Sequence, residues 1–186
     1  MKRPIATLAL ALLLGGVVSL RGQNCSLSSN IWDVADFGTL GLEAALGLNR
    51  HFSVSAGLKY NPFTYSDASG GSMQNRQRVF SLGTRFWPWH LWSGWWLSAK
   101  AQYQEFNRGG IESPLTSEGD RYGAGIGAGY SFMLSDHLNL DIGLGAWGGY
   151  AKLVSYECPT CGRIVSTSDR FFVLPNDLLL SISYIF

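Results

Sequence analysis

The chain has 186 residues and a formal net charge of +1, so no basic excess suggests nucleic-acid binding. Charged residues make up only 15%, below the usual quarter, whereas aromatic residues reach 13% and glycines number 23. Beyond the N-terminal segment no apolar run approaches the roughly 20 residues that a membrane helix needs. If the mature chain enters a membrane, it must therefore do so as a closed barrel, in which every backbone polar group is paired.

The N-terminal segment has the order of a secretory signal peptide. Lys2 and Arg3 form a positive region, and an apolar run over about residues 6–18 follows. We predict a cleaved signal peptide at residues 1–22 and one outer-membrane β-barrel domain at residues 23–186. A retained helical anchor and a lipidated Cys25 are the alternatives. The run is short and broken by glycine, and the residues before Cys25 are not small and apolar.

Apolar residues then alternate with glycine, serine or charged residues over seven runs. Each run approaches the 9–11 residues that a tilted strand needs to cross a bilayer. A soluble β-sandwich would also alternate, but its polar face would normally carry more Lys, Glu and Thr and less glycine. The runs cover about residues 40–48, 52–60, 80–86, 95–103, 122–132, 138–146 and 178–186.

The secondary structure of two segments is less clear from the pattern alone. Glu43–Leu46 favours a helix by propensity, but the alternation and the flanking glycines favour a strand. Leu27–Val34, followed by a turn at Ala35–Gly38, is the candidate for a further strand. The predicted fold is thus all-β, an eight-stranded antiparallel transmembrane up-and-down barrel with an even strand count.

Connections between the runs alternate in length. Outer-membrane barrels have short periplasmic turns and long outside loops, so both termini are predicted to lie on the periplasmic side. The short connections are Asn49–His51, Pro88–Gly94 and Ser135–His137, and the long ones are about Pro62–Asn75, Asn107–Asp120 and Tyr156–Asp169.

Five tryptophans flank one predicted periplasmic turn. Interfacial anchoring in the membrane explains this placement, and a platform for a carbohydrate or another ligand is the alternative. The residues are Trp87, Trp89, Trp92, Trp95 and Trp96.

Cys158 and Cys161 form a C-x-x-C motif in the last long loop. Their spacing matches half of a zinc site, but four ligands are needed and all three histidines fall in turns at the opposite end. A redox pair would want a helix N-terminus to stabilise a thiolate. A local disulfide in an oxidising compartment is the simplest interpretation, and it leaves Cys25 unpaired. We predict no metal and no cofactor.

Strand parity points five charged residues into the barrel. A small barrel has just enough interior for side chains, and buried charges must pair, so a lumen network of ion pairs is predicted. Glu43 and Lys59 are expected to be diagonal neighbours across the first short turn. A catalytic or transport role is the alternative for the set Glu43, Lys59, Arg85, Lys100 and Asp141.

Trp147 interrupts the small and polar pattern of inward positions. Pairing across the turn at Ser135–His137 places it opposite Gly125, within a row of four alternating glycines. We predict that the indole points inward and plugs the barrel over Gly125, as in aromatic rescue. A β-bulge near Gly148 that turns the ring outward is the alternative.

Four strings resemble a family of small outer-membrane barrels of unknown function that is widespread in gram-negative anaerobes. They are NIWD at 30–33, LGLE at 40–43, YNP at 60–62 and, most specifically, YECPTCG at 156–162. The chain departs from the family pattern at Phe63, where tryptophan is frequent. Family members are often encoded near components of surface pili, so the resemblance implies a role in the cell envelope or with pili.

Three classes of function remain from the sequence: a structural envelope protein, a binding or assembly protein that uses its outside loops, and an enzyme acting on outer-leaflet lipid. An enzyme would need a general base beside a nucleophile, and no histidine lies at the predicted outer rim. We therefore predict no catalytic residues. The expected partners are outer-membrane lipid and a surface or pilus protein at the outer loops.

Overall fold

The computed structural model describes residues 24–66, 72–111, 115–157 and 163–186. The predicted signal peptide and the Cys158 and Cys161 motif lie outside these residues. Among the described residues, no helix has both the length and the apolar character needed to cross a membrane. The elements are β1 (Cys25–Asn30), α1 (Ile31–Ala35), β2 (Leu40–Gly47), β3 (Phe52–Asn61), β4 (Thr64–Ser66), β5 (Ser72–Phe86), β6 (Gly94–Gly109), β7 (Thr116–Ser135), β8 (Leu138–Tyr156) and β9 (Ile164–Ile185).

The strands close into an antiparallel barrel. Each barrel strand pairs with its neighbours in sequence, and β1 pairs with β9 to complete the circle. The short β4 pairs with β5 beyond the end of β3 and does not count as a further strand of the barrel. The predicted all-β, eight-stranded antiparallel barrel is therefore confirmed.

The two ends of the barrel differ, and we name them by their connections. At the turn end, the strands are joined around residues 48–51, 87–93 and 136–137, and both described termini meet where Phe186 N donates to Cys25 O at 2.9 Å. The opposite end, the loop end, carries α1 and the connections after β3, β6 and β8. Both ends of the described chain thus lie on one side of the barrel, as the alternation of short and long connections predicts.

Alternation prevails over helix propensity in Glu43–Leu46, which lies within β2 and pairs residue by residue with β3. The predicted first strand is too long at its C-terminal end, because the chain turns into α1 after Asn30. The side chain of Asn30 accepts a hydrogen bond from Trp32 N at 3.2 Å, which is the N-cap that starts this helix.

The wall of the barrel is uneven at the loop end. The strands β5 to β9 are 15 to 22 residues long, whereas β1 and β2 have six and eight. Much of each predicted long loop is therefore strand, and the wall formed by β6 to β9 stands above the α1 side.

The two faces of the strands have opposite chemistry. The outward positions are large and apolar and remain exposed, with Leu82 at 68% and Ile126 at 72%. The inward positions are small or polar and often buried, such as Asn139, Asp141 and Ser181. The exterior is thus apolar, and the interior combines polar side chains with buried aromatic ones, whereas soluble proteins bury mostly apolar residues.

Candidate functional site

The turn end of the lumen is closed by tryptophans. Trp87, Trp92 and Trp96 are buried and form one cluster with Ile185, and Trp87 Nε1 donates to Ser53 Oγ at 3.1 Å. Only Trp89 and Trp95, which are 63% and 55% exposed, face outward. The prediction that all five tryptophans anchor the protein in a membrane interface is therefore wrong for the buried Trp87, Trp92 and Trp96.

Trp96 lies on two glycines paired across β7 and β8. A Cβ on Gly143 would lie 2.5 Å from Trp96 Cη2, and one on Gly129 would also meet the ring. Side chains are absent there because the indole occupies their space. Aromatic rescue of glycines thus occurs in this barrel at Trp96, which the sequence interpretation had assigned to the interface.

Arg85 lies above this cluster and joins two carboxylates. Its guanidinium contacts Glu43 Oε1 at 2.6 Å and Asp141 Oδ2 at 3.5 Å, and it lies over the Trp96 ring at 4.9 Å. Asp141 also accepts hydrogen bonds from Ser131 and, at 2.6 Å, from Ser183. A buried carboxylate with this many donors is held in one position, so the network fixes the side chains in the turn half of the lumen.

The two lysines have other partners than the sequence suggested. Lys59 Nζ lies 2.7 Å from Asp33 Oδ1, and Lys100 forms an ion pair with Asp177. Glu43 is paired with Arg85, so the expected contact between Glu43 and Lys59 is replaced by two separate pairs. All five predicted charges face the lumen, but Asp33 and Asp177 were missed. Asp33 lies on α1, and Asp177 follows a register shift in the pairing of β8 with β9.

Trp147 points inward and is only 5% exposed, directly opposite Gly125. A Cβ on Gly125 would lie 2.8 Å from Trp147 Cβ, which leaves no room for a side chain. The ring packs edge-on against Phe172 of β9 at 4.6 Å between centroids. The β-bulge near this position lies in the pairing with β9, between Gly145 and Trp147, and does not turn the indole outward.

Above Trp147 the lumen opens into a cavity of about 400 Å³ at the loop end. We call it the vestibule. On the α1 side it is lined by Trp32, Asp33 and Asp36, and on the tall side by side chains of β5 to β9. The polar and aromatic lining residues from the tall side include Asn75, Gln77, Gln102, Gln104, Phe106, Arg108, Arg121, Trp147 and Asp177.

Arg121 is the distinctive residue of the vestibule. Its guanidinium lies 4.0 Å from the centre of the Phe106 ring and 5.8 Å from that of Phe172. Arg108 and Arg170 are close enough to repel it electrostatically. The sequence interpretation missed it because the alternating run was started at Tyr122, although the same parity places Arg121 inside.

Two of the histidines contact backbone carbonyls at the turn end. The contacts run from Nδ1 of His51 to Trp87 O at 2.8 Å and from Nδ1 of His137 to Ile185 O at 2.9 Å. In the part of the chain that the structure describes, no three His, Cys, Asp or Glu side chains are grouped to hold a metal ion.

The chain matches the model of the family described as "Protein of unknown function (DUF3575)" over residues 8–186. Among curated proteins, no sequence matches the chain. The family match covers nearly all of the sequence and every element of the barrel. The chain therefore belongs to the DUF3575 family.

Proposed function

We propose that this protein is a small outer-membrane β-barrel of a gram-negative cell envelope, with a non-catalytic binding or assembly role at its loop end. The observation that carries the proposal is the exposed apolar belt around the barrel. Its members are exposed large apolar side chains at outward positions of every barrel strand, with alanines such as Ala124 and Ala128 between some of them, which water would disfavour and lipid would accommodate.

The height of the belt suits a bilayer. On β7 it extends from Tyr122 to Phe132, both exposed. Ten residues span about 33 Å along a strand, or about 25 Å along the axis of a barrel tilted by about 40°. An apolar band of about 25 Å is what outer-membrane barrels present to lipid.

A row of charges ends the belt at the loop end. Five outward residues on adjacent strands are directly paired with one another: Arg78, Glu105, Asp120, Lys152 and Asp169.

The row next to these charges is aromatic. It consists of Tyr103, Tyr122, Tyr150 and Phe171, again paired from strand to strand. Tyr103 and Tyr150 donate from this row to Asp120 and Asp169 at 2.9 Å each. Amphipathic rings that hydrogen-bond toward a polar layer are typical of a membrane–water boundary.

The interior supports a role other than that of a porin. An eight-stranded barrel is wide enough only for its own side chains. Here the tryptophan cluster and the Arg85 network fill the turn half. The surface left for a partner is the tall wall of β6 to β9 above the charged row, where the proposed contact with a surface or pilus protein would form.

A lysine scan of the outer face tests membrane embedding. Ile126→Lys places a charge in the middle of the belt and is expected to lower the free energy of unfolding by about 2–4 kcal/mol in lipid vesicles. Thr167→Lys, on the exposed part of β9, is the matched control and should change little. The measurement is guanidinium unfolding of the refolded protein, followed by tryptophan fluorescence.

Equal stability of both variants, together with solubility of the parent without detergent, would contradict the proposal. Hydrolysis of outer-leaflet lipid by the purified protein would replace the binding role by an enzymatic one.

A further inference from the structure

We infer that the vestibule binds a small saccharide bearing a phosphate or carboxylate group, with Arg121 as its anion-binding residue. The inference deepens the proposed binding role at the loop end and rests on it. It identifies the chemistry of a ligand, whereas the belt and the wall concern only the membrane and a protein partner.

The first argument is the distribution of charge. Each acid that lines the vestibule already has a partner inside the protein. Asp33 is bound by Lys59 and Asp177 by Lys100, and Asp36 accepts hydrogen bonds from Asn75 and Gln77 at 2.9 Å each.

Arg121 and Arg170 differ from these acids. Within residues 24–66, 72–111, 115–157 and 163–186, no carboxylate lies within ion-pair distance of Arg121 or Arg170. Strand pairing places these two residues on β7 and β9, each opposite Ala151 of β8. Arg121 and Arg170 thus place two positive charges on this wall that no ion pair of the described residues neutralises, and an anionic ligand would neutralise them.

The second argument is preorganisation. The rings of Phe106 and Phe172 hold the guanidinium of Arg121 through cation–π contacts, which use the face of the group, and none of the described residues accepts a hydrogen bond from its N–H donors. Phe106 belongs to a buried cluster with Ala151 and Leu153, so its ring is itself fixed. A guanidinium with a fixed plane and free donors can bind phosphate or carboxylate in the two-point geometry that arginine favours.

The third argument is the rest of the lining. Four amide side chains, those of Asn75, Gln77, Gln102 and Gln104, line the same space. Asn75 and Gln77 donate to Asp36, and Gln104 donates to Gln77, so Gln102 and the amide oxygen of Gln104 are the groups offered here to the hydroxyl groups of a ligand. The aromatic residues Trp32 and Trp147 supply apolar surface. A volume of about 400 Å³ lies within the range of small-molecule sites, and this combination of groups suits a polyhydroxylated ligand with one anionic substituent.

The test is isothermal titration calorimetry on the full barrel in detergent, with four probes: glucose 6-phosphate, glucuronate, glucose and inorganic phosphate. Glucose 6-phosphate or glucuronate should bind more tightly than glucose and than phosphate alone. Arg121→Ala should weaken that binding by about tenfold or more, because a charged hydrogen-bonding partner is lost. Arg170→Ala, at an exposed position, should weaken it less.

Arg78→Ala is the matched control, since Arg78 faces outward in an exposed pair with Glu105 and should not affect binding. Each variant is checked for folding by whether the unheated protein keeps the gel mobility of the folded parent. If Arg121→Ala does not fold, Arg121→Gln takes its place. Binding of neither anionic sugar, or equal affinity of the parent and Arg121 variants, would overturn the inference. Equal affinity for free phosphate and glucose 6-phosphate would overturn the saccharide assignment. None of these results depends on the lysine scan, so the two proposals fail separately.

Discussion

The two halves of the lumen use charge in different ways. In the turn half, Arg85 forms ion pairs with two carboxylates and covers an indole, so that polar and aromatic groups together form a closed plug. In the loop half, Arg121 is held by aromatic rings but has no carboxylate partner among the described residues. The same residue type is therefore ion-paired in the turn half, whereas in the loop half aromatic rings are its contacts among the described residues.

The largest expected effect comes from breaking the plug. Arg85→Leu leaves Glu43 and the nearly inaccessible Asp141 without their cation, because the side chain of Asp141 is only 3% exposed. Loss of one partner from a buried pair typically costs about 3–5 kcal/mol. The measurement is the free energy of unfolding in urea, in detergent or lipid.

Arg78→Leu is the control for this variant. It removes a cation from the exposed pair with Glu105, whose side chains are 62% and 46% exposed. Such a surface pair contributes about 0–1 kcal/mol. If both leucine variants lost the same stability, the distinction between a matched interior charge and a surface charge would be wrong.

A second variant tests the contact between glycine and indole. Gly143→Ala places a methyl group 2.5 Å from Trp96 Cη2, and overpacking of this kind costs about 1–3 kcal/mol. Gly127→Ala, on the same inner wall, meets mainly the Ser98 hydroxyl, which can rotate away, and should cost less.

In a Trp96→Ala background the cost of Gly143→Ala should shrink, and the double-mutant cycle measures that coupling. An unchanged cost in this background would show that the glycine is needed for its backbone and not for the indole.

The smallest effect concerns the exposed wall above the charged row. The pKa of Tyr156 is raised because its hydroxyl donates to Glu118 at 2.6 Å, which favours the neutral phenol. Its contribution to stability is thus present below the ordinary tyrosine pKa of about 10 and is lost as pH rises through the higher folded value.

Tyr156→Phe should leave the unfolding midpoint at pH 7 unchanged, since the pair faces water. The ultraviolet titration of the parent minus that of the variant should show a tyrosine ionising above pH 10, and Glu118→Gln should lower that value. A difference curve centred at or below pH 10 would contradict the hydrogen bond.

The barrel could be predicted because period-two alternation is a property of the local sequence. It overcame helix propensity at Glu43–Leu46, where every second side chain faces outward. The helix α1 was missed although Asn30 and Asp33 are a typical N-cap and first-turn acid, because the apolar spacing of Leu27–Val34 resembled a strand.

The contacts inside the lumen were less accessible to sequence reasoning. Parity correctly placed Arg85 and Trp147 inward, but it does not say which charges meet across the barrel, where strands distant in sequence face one another. The partner Asp177 lies beyond a register shift, and Asp33 reaches Lys59 from a helix. Because Leu97 faces outward, the alternation would have placed the neighbouring Trp96 inside the barrel. The clustering of tryptophans in the sequence instead favoured a position at the membrane interface.

The amide of Asn30 has a consequence for how the barrel holds its circular form. The ladder between β1 and β9 has only five residue pairs, the last of them Asn30 with Ser181. Beyond it, the Asn30 side chain accepts from Leu180 N and donates to Leu178 O, at 3.0 Å each. One side chain thus continues the hydrogen-bonding of a strand that has already become a helix. Because β1 has only four residue pairs with β2 and five with β9, it is the barrel strand with the shortest ladders on both sides, and the Asn30 amide lengthens the one that closes the circle.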